Sequence, residues 1–299
     1  MNRKGLLTIL LVFGFLFSVF FLFVLLVVSS ADGEFDPMEE GLGVVEVTGP
    51  IMDSREALEQ LERFERSEAI KGIIVRIDSP GGAVGPSQEI HRGVVRAREK
   101  KKVVISMGTM AASGGYYIAC AGDRVFANPG TITGSIGVVT QLTDVSELAE
   151  LAHVKVHTLT SGPYKDSGNP FRPLEEKDRA FFEQMIDNMY EQFIRDIAKG
   201  RGMDLDEVRK LADGRVYTGE QAREKGLVDE MGGLREAAEY LAAEVGIEGA
   251  PKLIYPPKKD EDFLRQLLEG GARGLSQGLI EGAQEVSAPR VEYRMPAMP

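Results

Sequence analysis

One cysteine, Cys120, serves the whole chain of 299 residues. No intramolecular disulfide can form, and no thiolate pair is on hand for a metal. Its apolar surroundings read as those of a buried, inert thiol. Histidine is nearly as scarce, at three residues: His91, His153 and His157. None lies in a Gly- or Pro-rich loop beside other polar groups, which counts against a Ser–His relay. His91 falls in a helix in a polar setting. The His153/His157 spacing would suit zinc only on a helix, and that stretch reads as extended. Neither a metal nor a cofactor is expected. Positive charge is also short, 35 basic against 46 acidic residues, for a net charge of −11. A nucleic-acid face built on phosphate neutralisation is thereby disfavoured. The one dense basic run, 96–102, ends a predicted helix, where solvated cations complement the dipole. Gly130, Gly134 and Gly137 match neither the Rossmann nor the P-loop spacing, and no internal repeat is evident. With 43% hydrophobic and 27% charged residues, the chain has the composition of a globular protein with a substantial core.

One long apolar run is present. Leu6 to Val28 carries no charge over 23 residues, which as a helix would span about 35 Å, enough for a bilayer core. Arg3 and Lys4 precede it, and Asp32, Glu34, Asp36, Glu39 and Glu40 follow. That asymmetry places the N-terminus in the cytoplasm and the rest outside, a single pass through the cytoplasmic membrane. Ser29-Ser30-Ala31 could also be read as a signal-peptide cleavage site. The run exceeds the roughly 7–15-residue core of such signals, so a retained anchor is expected. The expected organisation is a cytoplasmic end and anchor over 1–30, a tether over 31–43, a folded domain over 44–270 and an extended tail over 271–299.

Within the domain, strands and helices alternate, which argues an α/β fold with a mainly parallel sheet. Strands are expected at 44–47, 72–77, 102–107, 124–127 and 154–159. Helices are expected from Asp53 or Ser54 to Glu65, from Pro86 to Arg98, and from Leu174 to Gly202. In the last, Phe181, Met185, Met189 and Phe193 recur at helical spacing as a core or interface stripe.

The strand at 102–107 leads into Met107-Gly108-Thr109-Met110-Ala111-Ala112-Ser113-Gly114-Gly115-Tyr116-Tyr117. Ser113 opens a short buried helix, where unpaired N–H groups and the dipole favour negative charge. Acyl transfer needs such a pairing of nucleophile and donors; the simpler alternative is a helix cap. Lys165, in the loop Gly162-Pro163-Tyr164-Lys165-Asp166, is the best candidate base, since a neutral lysine can accept the hydroxyl proton if burial disfavours its charge. The alternative is an ordinary surface lysine. Ser135 could hold the amine. Gly82, after Asp78-Ser79-Pro80-Gly81, and Gly114 could each aim a backbone N–H at an oxyanion.

These motifs, with Thr133-Gly134-Ser135-Ile136-Gly137 and Gly214-Arg215-Val216-Tyr217-Thr218-Gly219, run in one order from Val44 to beyond Asp229. Together they resemble the signal peptide peptidase A family, membrane-anchored serine proteases of the Clp/crotonase superfamily. The resemblance implies a Ser–Lys dyad of Ser113 and Lys165, Ser135 positioning the lysine, and Gly82 and Gly114 as the oxyanion hole. It implies endoproteolysis of remnant signal peptides and other unfolded hydrophobic peptides at the lipid bilayer. With a single copy of the domain, the chain resembles the short form, a ring-shaped homo-oligomer whose dyads are completed between subunits. Two rivals share the features: a membrane-tethered scaffold that holds peptides uncut, and a crotonase-type acyl-CoA enzyme, which an extracytoplasmic placement disfavours. The tail segment Val291-Glu292-Tyr293-Arg294-Met295 could lie in the protease's own groove as a self-substrate.

Overall fold

The computed structural model describes residues 40–256, the backbone of residues 291–294, and two isolated helical positions, Gly14 and Ser18. The chain divides into two units, Met1–Asp36 and Pro37–Pro299, and the elements below belong to the second. The expected anchor at 6–28 lies outside the described residues apart from those two positions. Among the described residues, no helix is long and apolar enough to cross a membrane.

In chain order, β1 (Gly41–Thr48), α1 (Arg55–Arg66), β2 (Ile70–Ser79), β3 (Gly81–Ala83), α2 (Val84–Ala97), β4 (Lys102–Ala112) and α3 (Gly114–Ala119) form the first half. Then follow β5 (Arg124–Ala127), β6 (Ile132–Gly134), β7 (Val139–Thr140), α4 (Ser146–Leu151), α5 (Glu176–Arg201) and α6 (Leu205–Leu211). The domain closes with β8 (Val216–Thr218), α7 (Gly219–Glu224), β9 (Glu230–Met231), α8 (Leu234–Glu244), β10 (Leu253–Ile254) and β11 (Val291–Arg294). β1 therefore begins inside the expected tether.

The main sheet runs β10-β1-β2-β4-β5-β9, with β6 joined to β4 and β8 joined to β6. Every pairing is parallel except β6 with β8. This is the mixed, mostly parallel α/β sheet expected from the alternation. The reason is legible in β2, whose Ile73, Ile74, Val75 and Ile77 are all fully buried. A strand apolar on both faces needs cover on both. Phe64 of α1 presses onto one side so closely that a Cβ on Gly43 would sit 2.6 Å from its ring. On the other side Ala237, Ala238 and Leu241 of α8 pack with Leu42, Ile74, Val104 and Phe126.

β4 reaches further than expected, to Ala112. Its first half pairs with β5, and Met110–Ala112 pairs with β6, so hydrogen bonds carry the strand to within one residue of Ser113. The expected strand at 154–159 does not form. Val154 and Val156, which alternate with polar residues, and Leu159 are exposed, and period-2 alternation yields a strand only where a sheet edge is at hand. The long helix closes on Gly202 in the left-handed region, φ 62°, as glycine at that position favours. Its core face is Phe182, Phe193, Ile194 and Ile197, while Phe181 is exposed; the stripe read from Phe181 is thus offset by one residue at its start. His91 is buried, edge-on to Tyr117 at 5.0 Å between ring centroids, with Asp196 among the charged groups near it. In the basic run, Lys101 is no solvated cation: its Nζ donates to the carbonyl oxygens of Phe64 and Ile70, at 2.7 and 2.6 Å.

Candidate active site

In open α/β sheets, functional sites gather at the carboxyl ends of the strands. Here the ends of β2 and β4 lie side by side, with Ser79 opposite Ala111, so the turn at Pro80-Gly81-Gly82 faces the start of α3. Two glycines allow the approach. A Cβ on Gly114 would lie 2.5 Å from Ser87 Oγ and 3.2 Å from the Gly82 nitrogen, and one on Gly82 would lie 2.2 Å from the Ile51 carbonyl oxygen. The backbone N–H groups of Gly82 and Gly114 are therefore neighbours, as an oxyanion pair must be.

Ser113 sits between β4 and α3 at φ 53°, ψ −116°. For a residue with a Cβ this backbone costs on the order of 1–3 kcal/mol and persists where its surroundings hold it. The surroundings do so: its N–H donates to the Gly134 carbonyl at 2.8 Å, and its own carbonyl accepts from Tyr117 N–H at 2.9 Å. The cap alternative fails, because the hydroxyl makes no capping bond to α3. Ser113 is fully buried and its Oγ has no hydrogen-bond partner. A buried hydroxyl left unsatisfied costs roughly 1–3 kcal/mol, so Ser113 holds both an unfavourable backbone and an unused polar atom.

α3 is anchored from behind. Tyr116 Oη donates to the Leu227 carbonyl at 2.9 Å, and Tyr117 Oη donates to Asp196. Burial pushes the Tyr116 phenol well above its ordinary value, so it remains a donor. Burial likewise pushes the Cys120 thiol up, which keeps that residue inert as expected. Nearby, burial works against ionisation of Asp229, yet the Arg201 guanidinium at 2.7 Å and the Val125 N–H hold its carboxyl below the usual range.

Ser135 shares the odd backbone of Ser113. Its φ is 50°, and the described non-glycine residues at positive φ are only Ser113, Ser135 and His153. Ser135 is buried, and its N–H donates to the Arg215 carbonyl at 2.8 Å. Since Ala112 pairs with Gly134, Ser113 and Ser135 follow the ends of two paired strands. The structure thus gathers Ser113, Gly114, Gly82 and Ser135 into one bay.

Lys165 is not gathered with them. It is exposed, on a turn where its N–H donates to the Gly162 carbonyl at 3.2 Å, and the Ser113 hydroxyl lacks any bond to it. The loop beyond it is tightly held. Arg172 donates to the Asp166 carboxylate at 2.6 Å, to the Asp166 carbonyl at 2.9 Å and to Asp178 at 2.6 Å. Asp178, fully buried in the first turn of α5, also accepts from Ser167 Oγ at 2.7 Å. Bonds from Arg172 come first among the causes that hold both carboxyls below their ordinary values. Sequence reasoning missed this clasp, although an arginine with two aspartates six residues away on either side was open to view.

Beside the bay lies a second, smaller sheet in the order β3-β11-β7. The tail strand β11 runs antiparallel to both neighbours, with Tyr293 opposite Gly82 and Glu292 opposite Val139. An extended segment thus lies along the strand that carries the Gly82 N–H, the mode by which an extended peptide adds to an open sheet edge.

The sequence pattern of peptidase family S49 matches residues 96–248. Among similar proteins, Putative protease slr0021 of Synechocystis sp. is 40% identical over 76% of this chain and 82% of its own length. Putative signal peptide peptidase SppA of Enterococcus faecium is 36% identical over 65% of this chain. Serine protease SPPA, chloroplastic, of Arabidopsis thaliana is likewise 36% identical over 65% of this chain. The match spans 58% of the Enterococcus protein and 29% of the Arabidopsis protein, less than two thirds of either.

Proposed function

The chain belongs to peptidase family S49, and as a serine peptidase it is, we propose, a membrane-anchored endopeptidase with a Clp/crotonase-like fold. It works through a Ser–Lys dyad on unfolded hydrophobic peptides such as remnant signal peptides. The observation that carries this reading is the unpartnered, buried Ser113 hydroxyl on a strained backbone, beside the N–H groups of Gly82 and Gly114. Strain and an unsatisfied hydroxyl together have no use in a protein that only holds peptides; in a nucleophile they are stored readiness.

In the proposed cycle, Ser113 Oγ attacks the scissile carbonyl carbon while Lys165 Nζ takes its proton. The carbonyl oxygen becomes an oxyanion held by the Gly82 and Gly114 N–H groups. Lys165 then protonates the leaving amine, and water releases the acyl group by the same route. Ser135 orients the uncharged amine. The amine comes from a neighbouring subunit, because Lys165 stands exposed on its own chain. Leu148, Leu151, Val154 and Leu159 leave the same stretch with apolar surface in water, a face suited to a second copy in a ring. The run from Leu6 to Val28 anchors the assembly in the cytoplasmic membrane, with the peptidase unit outside.

Treatment with a serine-reactive fluorophosphonate tests the reading. Covalent modification at Ser113, lost in Lys165→Ala, is expected; peptide binding without modification would favour the holding scaffold.

A further inference from the structure

In the proposed cycle only Gly82 of the motif Asp78-Ser79-Pro80-Gly81-Gly82 has a task. We propose that Asp78 and Ser79, adjacent at the carboxyl end of β2, are positioning residues that together set the spacing between nucleophile and oxyanion donor. Asp78 holds the strand that ends on Ser113, and Ser79 holds the turn that carries Gly82. The proposal rests on the roles given above to Ser113 and Gly82.

β2 and β4 pair in step as far as Ile77 opposite Met107, yet the next pair is Ser79 opposite Ala111. Two residues of advance in β2 thus match four in β4, and Gly108, Thr109 and Met110 form a bulge across from Asp78. Such a bulge disrupts the ladder and bends the strand; here side chains pin it. Arg76 donates to Ser106 Oγ at 2.8 Å and to the Met107 carbonyl at 2.9 Å, just before it. Thr131 Oγ1 donates to the Gly108 carbonyl at 2.8 Å. The Met110 N–H donates to the Asp78 carboxylate at 3.2 Å. That carboxyl fills the room Gly108 leaves, since a Cβ there would lie 2.8 Å from Asp78 Cγ. Past the bulge Met110–Ala112 joins β6, and Ser113 follows. Bulges beside active sites re-aim a side chain; this one sets where along the sheet Ser113 falls.

Ser79 acts on the donor side. It is fully buried, and its hydroxyl donates to the Gly49 carbonyl at 2.6 Å and accepts from the Gly81 N–H at 3.1 Å. Gly81 stands at φ 100°, where glycine alone is at ease, and its carbonyl accepts from the Ile51 N–H at 2.9 Å. A trans peptide is planar, so the Gly82 N–H points away from Ile51. Gly81 is thereby held at both ends, and the direction of the Gly82 donor with it. A Cβ on Gly115 would lie 3.1 Å from the Ser79 carbonyl oxygen, so Ser79 also bears on the first turn of α3.

The test follows the full chain in detergent, with kcat and KM read on a quenched fluorogenic hydrophobic peptide and assembly read by size-exclusion chromatography. Asp78→Ala and Ser79→Ala should each lower kcat about 10–100-fold with KM within about twofold, the signature of misplaced reacting groups rather than lost substrate contacts. Asp78→Asn keeps an oxygen that accepts from the Met110 N–H, so its kcat should stay within about threefold of wild type. Gly108→Ala, which drives a methyl group against the Asp78 carboxyl, should lower kcat as Asp78→Ala does and add nothing in the Asp78→Ala background. If Asp78→Ala fails to assemble, Asp78→Asn and Gly108→Ala decide the matter by the same criteria. Wild-type kcat in Ser79→Ala or Asp78→Ala, a loss confined to KM, or Asp78→Asn as slow as Asp78→Ala overturns the positioning roles. Fluorophosphonate labelling of the wild type separates the two failures. A labelled Ser113 leaves the peptidase reading standing when the positioning roles fall, and an unlabelled one overturns both.

Discussion

The two halves of the proposed catalytic machinery are built to different standards. Ser113 has both of its own backbone groups tied down, α3 is buried, and two neighbouring glycines admit no methyl group. Around Lys165 the chain is an exposed turn, preceded by a stretch whose alternation finds no sheet to join. The difference teaches that one chain supplies a finished bay and an unfinished base. The first half is determined by the chain's own packing, whereas the second, on the proposed reading, is completed by a neighbouring subunit.

Cutting the comparison at its two ends gives the largest effects. Ser113→Ala and Lys165→Ala should each reduce peptide cleavage to background, with the assembly intact by size-exclusion chromatography. Co-expressing the two inactive variants separates the cases sharply. Random pairing of chains returns roughly a quarter of wild-type activity if the dyad spans subunits, and none if both residues act within one chain.

Next come the glycines. Gly82→Ala forces a methyl group to 2.2 Å from the Ile51 carbonyl oxygen, displacing a donor, and kcat should fall about 10²–10³-fold. Gly162, near Lys165, has open space where a Cβ would go, so Gly162→Ala should leave kcat within about twofold. Equal losses at both positions would erase the contrast.

A smaller effect is expected from Arg172→Ala, which unclasps the loop after Lys165. Peptide cleavage should drop about tenfold, as expected when the charge-assisted bonds that hold a loop are lost. Because Asp166 and Asp178 have lowered folded-state values, the clasp's contribution is present above the unfolded carboxylate value. It is lost as pH falls below about 4. Hydrogen-exchange protection over residues 161–174, taken relative to the unfolded chain at the same pH, should therefore fall on acidification in the wild type and be low at every pH in the variant.

Smallest of all, Leu151→Ala on exposed α4 should change monomer stability by less than about 0.5 kcal/mol. Phe64→Ala beneath β1 should cost about 3–5 kcal/mol. Urea denaturation of both variants reads the difference.

The sequence made the finished half legible and left the other obscure, for one physical reason. β2 and β4 announce themselves because apolar runs such as Gly72–Ile77 have one way to be satisfied, burial on both faces. Ser113, Gly82, Gly114 and Ser135 follow, being fixed to strand ends by local geometry. Residues 154–159 misled because an alternating pattern states what a segment would bury, not whether a partner is present. The shift from Phe181 to Phe182 shows how little a helical period says about where a stripe begins.

β4 is at once the middle of the sheet and the stem of Ser113. Segments so placed are the last to open when a protein loosens, while exposed turns open first. Warming should then silence this enzyme from the rim inward, the lysine turn melting while the hydroxyl keeps its post. Brief heat damage would be damage to a detachable part, repaired by cooling without any need to rebuild the floor on which the chemistry stands.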